Sequence, residues 1–365
     1  MGSKRSTARP PIQTTSSKDV TADGTGRVLV IGAGALGSIF AAKLSRSGLE
    51  VQALDAHPEH VRLLREPGVQ VNEVGSEWTC QIDAYSSVEE LTGPFEFGLI
   101  TLKSTALESA LTPLVEAGLV ETFVSLGNGL VQERIADLTE PGQLVAGTVS
   151  WGATNLGPGR VAQTTVAPIA VGELDGTRTA RIDRLAEVLS PVAEIHVTDR
   201  ITGQVWSKLL LNSTFSGMGV VSGLLYSEAV SQPRGDLVAY GLWTEGYDVA
   251  RAAGLELDQV AGIDPAHLVV RSPADLDVAR SALDSLMGRI GATKASMLQD
   301  LDRRISTEVR VINGGVSSTA ARLGVPSPLN DRIVEMVEAC ERGEAMPTPD
   351  AIEELAGLLP NTIRR

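Results

Sequence analysis

The residues Gly32-Ala33-Gly34-Ala35-Leu36-Gly37 come directly after the short apolar run Val28-Leu29-Val30-Ile31 and open a stretch of helical periodicity. A glycine at the first position permits a tight turn, and one at the second lets backbone approach a pyrophosphate. The third lets helix and strand pack closely, with the helix N-terminus facing the phosphates. Glycine is abundant here, 37 in all, so the string alone would be weak. Its place between strand and helix strengthens it, against the plainer reading of a glycine-rich turn without a ligand. Asp55 ends the next strand, 18 residues past Gly37. An acid there hydrogen-bonds the adenosine ribose of NAD and repels a 2′-phosphate, so NAD is expected, with NADP possible. The plainer reading of Asp55 is a solvated strand end.

A second constellation lies far along the chain. In Val205-Trp206-Ser207-Lys208-Leu209-Leu210-Leu211-Asn212-Ser213-Thr214-Phe215-Ser216, the residues Lys208, Asn212 and Ser216 recur every fourth position. On one α-helix they share a face. The leucines imply burial, and a lysine among them is costly unless something uses it. Otherwise it snorkels to a domain edge.

The elements that must position these groups alternate first and then change. Apolar runs at Val28–Ile31, Val51–Leu54, Phe97–Leu102, Thr122–Leu126 and Leu144–Val149 alternate with helical patterns at Ala35–Leu44, Ala106–Ala117 and Val131–Leu138. That alternation predicts an α/β fold, a Rossmann-type doubly wound parallel sheet. Further strands are expected at Val161–Thr165, Ile169–Val171 and Glu194–Val197, with a helix at Arg181–Leu189. From about residue 200 helical patterns dominate: Thr202–Ser216, Leu237–Ala253, Ala274–Arg289, Arg304–Leu323 and Arg332–Arg342. The expected organisation is a disordered tail over 1–26, a dinucleotide-binding domain over 27–199 and an all-helical C-terminal domain over 200–365, with the ligand cleft between the two domains.

Composition excludes several classes. A net charge of −14 argues against nucleic acid, and no apolar run approaches a membrane span. Cys80 and Cys340 stand apart, and four scattered histidines offer no metal cluster, so no metal is expected. A reducing, cytoplasmic compartment fits. The tail has no apolar core of a secretory signal.

Several motifs together resemble the ketopantoate reductases. They are the glycine loop, Thr101-Leu102-Lys103, Asn128-Gly129, Trp206-x-Lys208-x-x-x-Asn212, Ser296-Met297-Leu298-Gln299-Asp300, and Thr307-Glu308 with Ile312-Asn313-Gly314 after it. They keep the family's order across roughly residues 27–345. The resemblance implies that Lys208 is the proton donor in the reduction of a ketone or 2-oxo acid by NAD(P)H. It implies cofactor contacts for Lys103 and Ala153, and contact with both cofactor and substrate for Asn128. It gives substrate contacts to Asn212 and Ser296, extended to Ser216 on the same helix face. Glu308 becomes a cleft acid at the nicotinamide ribose, and a homodimer is implied. Asn128 could instead be only a turn residue, and Glu308 a solvated helix position.

The departures bear on substrate. Ala56 comes after Asp55 where the family often has an arginine for the 2′-phosphate, which favours NADH. Ser216 stands where many of the family carry a second asparagine, and the stretch Gly217 to Tyr226 lacks the family's Asn-Pro-Leu-Thr-Ala and its later pocket asparagine. With a shorter serine and a bulky tyrosine, a larger or less polar molecule than ketopantoate is expected. Two alternatives remain. One is a related dehydrogenase acting on another hydroxy or oxo compound; the β-hydroxyacid dehydrogenases share the Lys-x-x-x-Asn helix. The other is a cofactor-binding sensor without turnover.

Overall fold

The computed structural model describes residues 26–361. The tail expected over 1–26 lies, but for Gly26, outside the described residues. Strand β1 (Arg27–Ile31) is buried from Val28 onward and occupies the middle of a large sheet. Its parallel neighbours are β2 (Glu50–Leu54) and β6 (Phe95–Ile100), with Val28 opposite both Val51 and Phe97. Outward lie β5 (Asp83–Tyr85) beyond β2, and β7 (Val120–Ser125) and β8 (Leu144–Val149) beyond β6, all parallel. The sheet continues with β11 (Ile169–Gly172), antiparallel to β8, and β12 (Ile195–Val197), parallel to β11. The eight-stranded sheet is therefore mixed at one end rather than parallel throughout.

A second sheet was not expected from periodicity. Strands β3 (Val69–Glu73), β4 (Ser76–Cys80), β9 (Ala153–Gly157) and β10 (Arg160–Gln163) pair in the order β4-β3-β10-β9. The expected strand at Val161–Thr165 belongs to this small sheet, not to the large one.

The period of two along β1 divides the core. Val28 and Val30 join Ile39 and Phe40 of the helix Ala35–Arg46 and Val71 and Val161 of the small sheet. Leu29 and Ile31 face the other way, into an apolar cluster continuous with Trp206, Leu210, Phe215 and Trp243. One face of the sheet thus shares its core with the helical half, and that shared core fixes the two halves against each other.

The helical half includes Ile201–Leu211, Gly217–Ser222, Gly235–Ala252, Leu276–Ile290, Ser296–Asp302, Asn313–Leu323, Pro328–Glu341 and Asp350–Ala356. Two expectations need correction. The helix expected over Arg304–Leu323 begins only at Asn313, so Glu308 sits in the turn before it. The continuous α-helix expected over Thr202–Ser216 ends at Leu211, and Asn212–Ser216 forms a π-helical turn. There the Gly217 N–H reaches back five residues to the Asn212 carbonyl. The wider turn changes the angular step between residues, so spacing by four no longer keeps Ser216 on the Lys208 face.

A buried polar chain braces that turn. Asn313 donates from Nδ2 to the Ser213 carbonyl at 2.8 Å and to Asn330 Oδ1 at 3.0 Å. Asn330 in turn donates to Glu245, whose carboxylate also accepts the Leu329 and Asn330 backbone N–H groups at 2.9 and 3.0 Å. Those amides open the helix Pro328–Glu341, where an anion is favoured. Burial nevertheless outweighs them and pushes the Glu245 carboxyl up to about 7. A carboxyl raised in the folded state keeps its proton where the unfolded chain has lost it. Its contribution to stability therefore falls as pH rises from about 4.5 to about 7, by about 3 kcal/mol. Glu245→Gln should flatten that part of the stability-against-pH curve, measured by urea unfolding. An unchanged slope would contradict it.

Candidate active site

The glycine loop is built as its spacing requires. Gly32 has φ +92°, and a Cβ on Gly37 would lie 1.9 Å from the Gly32 carbonyl oxygen. At Gly34 a side chain would meet only open space, so here the backbone faces the cleft. The helix after the loop has no side-chain cap, which leaves first-turn N–H groups free for an anion. These features fit a dinucleotide pyrophosphate.

The loop is pinned through Ala33. Asp55 Oδ2 accepts the Ala33 N–H at 2.9 Å, and Asp55 Oδ1 accepts the His57 N–H at 3.0 Å. The Ala33 carbonyl accepts from Ser38 Oγ at 2.6 Å and from His60 Nε2 at 2.6 Å. Gly159 N–H can only donate, so His60 Nδ1 is its acceptor at 3.2 Å and Nε2 carries the hydrogen. His60 thereby ties the loop to the small sheet. Sequence reasoning missed Ser38 and His60, because a lone serine or histidine carries no motif. Thr101 adds a bond from Oγ1 to the Gly32 carbonyl at 2.6 Å.

The loop opens onto a cleft of about 340 Å³ between the sheet and the helical half. Gly34, Ala35, Leu36, Lys103, Asn128, Ala153, Lys208, Ser296 and Glu308 all line it, so two distant sequence regions meet here. Gly32, Ala33, Gly37 and Asp55 stand behind the lining and shape the loop. Asn212 is half-buried, and its side chain makes no hydrogen bond to another described residue. Ser216 is buried away from the lining, with its hydroxyl 2.6 Å from the Tyr226 hydroxyl.

Lys208 reaches from the helix Ile201–Leu211 to the end of β8, where Nζ donates to the Val149 carbonyl at 2.6 Å. Burial pulls its ammonium down to about 8, partly opposed by the negative charge of Glu308. Glu308 is itself buried, and that raises its carboxyl. The Ser104 N–H at 3.2 Å and Asn128 Nδ2 at 3.4 Å act in the opposite direction. Lys103 pairs with Asp300 across the cleft, and Arg303 donates to the Asn155 carbonyl at 3.2 Å. Asp300 lies in the Ser296–Asp300 motif, but residue type alone gave it no role. Beside Asn128, Gly129 has φ +74°, and a Cβ there would lie 2.4 Å from the Val311 carbonyl oxygen. The halves cross too closely at that point for any side chain. Trp151, which lines the cleft, stacks on the buried Phe40 at 5.7 Å.

A phosphate-binding loop and a desolvated lysine sharing one cleft define an oxidoreductase that uses a nicotinamide dinucleotide. Comparison with known proteins narrows the class. Residues 28–176 match the family described as Ketopantoate reductase PanE/ApbA, and residues 200–341 match Ketopantoate reductase PanE/ApbA C terminal. The chain therefore belongs to the ketopantoate reductase family, as an NAD(P)-dependent oxidoreductase acting on CH–OH groups. It is 25% identical to 2-dehydropantoate 2-reductase of Mesorhizobium japonicum, covering 87% of this chain and 99% of the relative. It is 26% identical to the Archaeoglobus fulgidus enzyme of the same name, over 87% and 98%. Among solved structures, D-mandelate dehydrogenase with NADH and anilino(oxo)acetate superposes with a TM-score of 0.75 at 25% identity, covering 87% and 99%. The 2-dehydropantoate 2-reductase of Geobacter metallireducens gives 0.72 at 25% identity, covering 86% and 99%.

Proposed function

We propose that the chain reduces a 2-oxo acid with NADH and that Lys208 gives the proton. The observation that carries this is the Lys208 ammonium, half-buried in the cofactor cleft, with a value pulled down to about 8 and with Glu308 lining the same cleft. The bound dinucleotide supplies the hydride. Lys208 places its charge where the carbonyl oxygen becomes an alkoxide, and in a dry cleft such stabilisation is worth several kcal/mol. Its lowered value lets it release a proton near neutral pH. The Val149 carbonyl holds the amine in place, and Glu308 keeps it charged enough to act. Gly32 to Gly37, Asp55, Lys103, Asn128, Ala153 and Glu308 are assigned to the cofactor. Asn128, Asn212 and Ser296 are assigned to the substrate, while Ser216, expected beside them, is buried away from the cleft lining.

Two features support a substrate other than ketopantoate. The Ser216 and Tyr226 hydroxyls bond each other in a buried pair that does not line the cleft, so no polar group at these two positions faces a substrate. The D-mandelate dehydrogenase structure is named with an anilino-substituted oxo acid. A 2-oxo acid with an apolar substituent fits both; ketopantoate is the second reading, favoured by the names of the relatives. The carboxylate of Asp55 at the end of β2, only 12% exposed, supports NADH over NADPH. Residues 27–199 would form the cofactor domain and 200–365 the substrate and dimerisation domain of a cytoplasmic homodimer. Among the described residues no helix is long and apolar enough to cross a membrane.

Lys208→Met should lower kcat by about 10²–10⁴ while leaving the NADH Kd within about twofold. Reduction needs the charged amine, so wild-type kcat should be level below about pH 8 and fall above it. The reverse oxidation should rise through the same value. Unchanged turnover in the variant would remove Lys208 from the chemistry.

Initial rates over a panel of 2-oxo acids, taken with each cofactor, test specificity. NADH should exceed NADPH, and aryl or branched 2-oxo acids should exceed ketopantoate, each by about tenfold or more in kcat/KM. The opposite order in either comparison would reverse that assignment.

A further inference from the structure

Lys208 lines two cavities, and it is the one lining residue they share among those described. The first is the cofactor cleft. The second, about 230 Å³, lies on the other side of the end of β8. The end of β8 and the residues after it separate them: Val149 and Trp151 line the cleft, while Thr148 and Ser150 line the second cavity. Gln204 stands one helical turn before Lys208 on the same face, and it lines only the second cavity. Its side-chain amide makes no hydrogen bond to another described residue. Ser150, His196 and Gln259 are exposed and form the mouth. Gln259 is carried by a loop anchored through the Asp258 N–H, which donates to Ser207 Oγ at 2.9 Å. A polar cavity of that size holds several waters, each needing two to four polar partners.

We propose that this second cavity is a proton inlet that recharges Lys208 between turnovers, with Gln204 positioning the water next to the amine. The proposal rests on Lys208 as proton donor. Each reduction makes one C–H bond from hydride and one O–H bond by breaking an N–H bond of Lys208, which is left as a neutral amine. A water on the Gln204 side gives the amine a proton and takes one from the next water outward. One proton thus enters from bulk solvent per turnover, and nothing else is consumed. Substrate bound in the cleft would cover the amine on that side, while the mouth of the second cavity at Ser150, His196 and Gln259 is exposed. The rear path therefore works before product leaves.

The test separates the first turnover from later ones. Lys208 begins charged at pH 7, so Gln204→Leu should leave the single-turnover rate within about twofold. Its steady-state kcat should fall about five- to tenfold, because only later turnovers need recharging. Gln204→Ser, which keeps polarity and makes room for water, should match wild type in both. A crystal structure of Gln204→Ser should show water within hydrogen-bond reach of Lys208 Nζ on that side. Wild-type steady-state turnover in Gln204→Leu would overturn the inlet, as would an equal loss in both variants or a dry cavity. Lys208→Met separates the two ideas. If it keeps its first turnover, the donor assignment fails; if it loses it while Gln204→Leu is normal, only the inlet fails.

Discussion

An amine taken out of water is unstable as a cation unless the surroundings replace its hydration, and Lys208 is where this chain meets that constraint. The Val149 carbonyl supplies one hydrogen bond, and Glu308 supplies an opposing charge from the helical half. Glu308 is buried too, and it is held by Ser104 and Asn128 from the sheet half. Neither charge is tenable without the other half in place. The shared apolar core that joins β1 to Trp206 and Phe215 is therefore a condition for the chemistry as well as for stability.

The same dependence explains the local irregularities. The π-helical turn at Asn212–Ser216 and the Asn313–Asn330–Glu245 chain that braces it set the direction of the helix carrying Lys208. The turn before Asn313, rather than a helix, brings Glu308 within reach of Ser104. Gly129 lets backbone cross backbone at Val311, where a side chain would force the cleft apart. On the cofactor side, Asp55, Ser38 and His60 hold Ala33 so that the glycine loop presents its amides without a protein cap.

Much of this was legible because some constraints act on neighbouring residues. The glycine loop, the alternation along β1 and the charge set among Leu209, Leu210 and Leu211 are local patterns with local causes. The small sheet was not legible: Ser76–Cys80 is mostly polar, the Val69–Val71 alternation is very short, and the partner strand β10 that completes the sheet lies far along the chain. Equal spacing of Lys208, Asn212 and Ser216 misled because a π-helical turn leaves no signature in residue types. The Val149 carbonyl could not be found at all, since every residue has one. His60 and Asp300 act through partners more than 25 positions away, and no single sequence window contains such a pair.

The central claim is that Lys208 is a desolvated cation tuned by its partners, and its own titration tests that most directly. NMR of a selectively labelled lysine side chain, assigned by comparison with Lys208→Met, reports the value for this one amine. A midpoint near 8, falling further in Glu308→Gln, would agree with burial opposed by a nearby carboxylate. A midpoint near the ordinary 10.5, unmoved by Glu308→Gln, would mean a hydrated lysine at a domain edge and would contradict the mechanism.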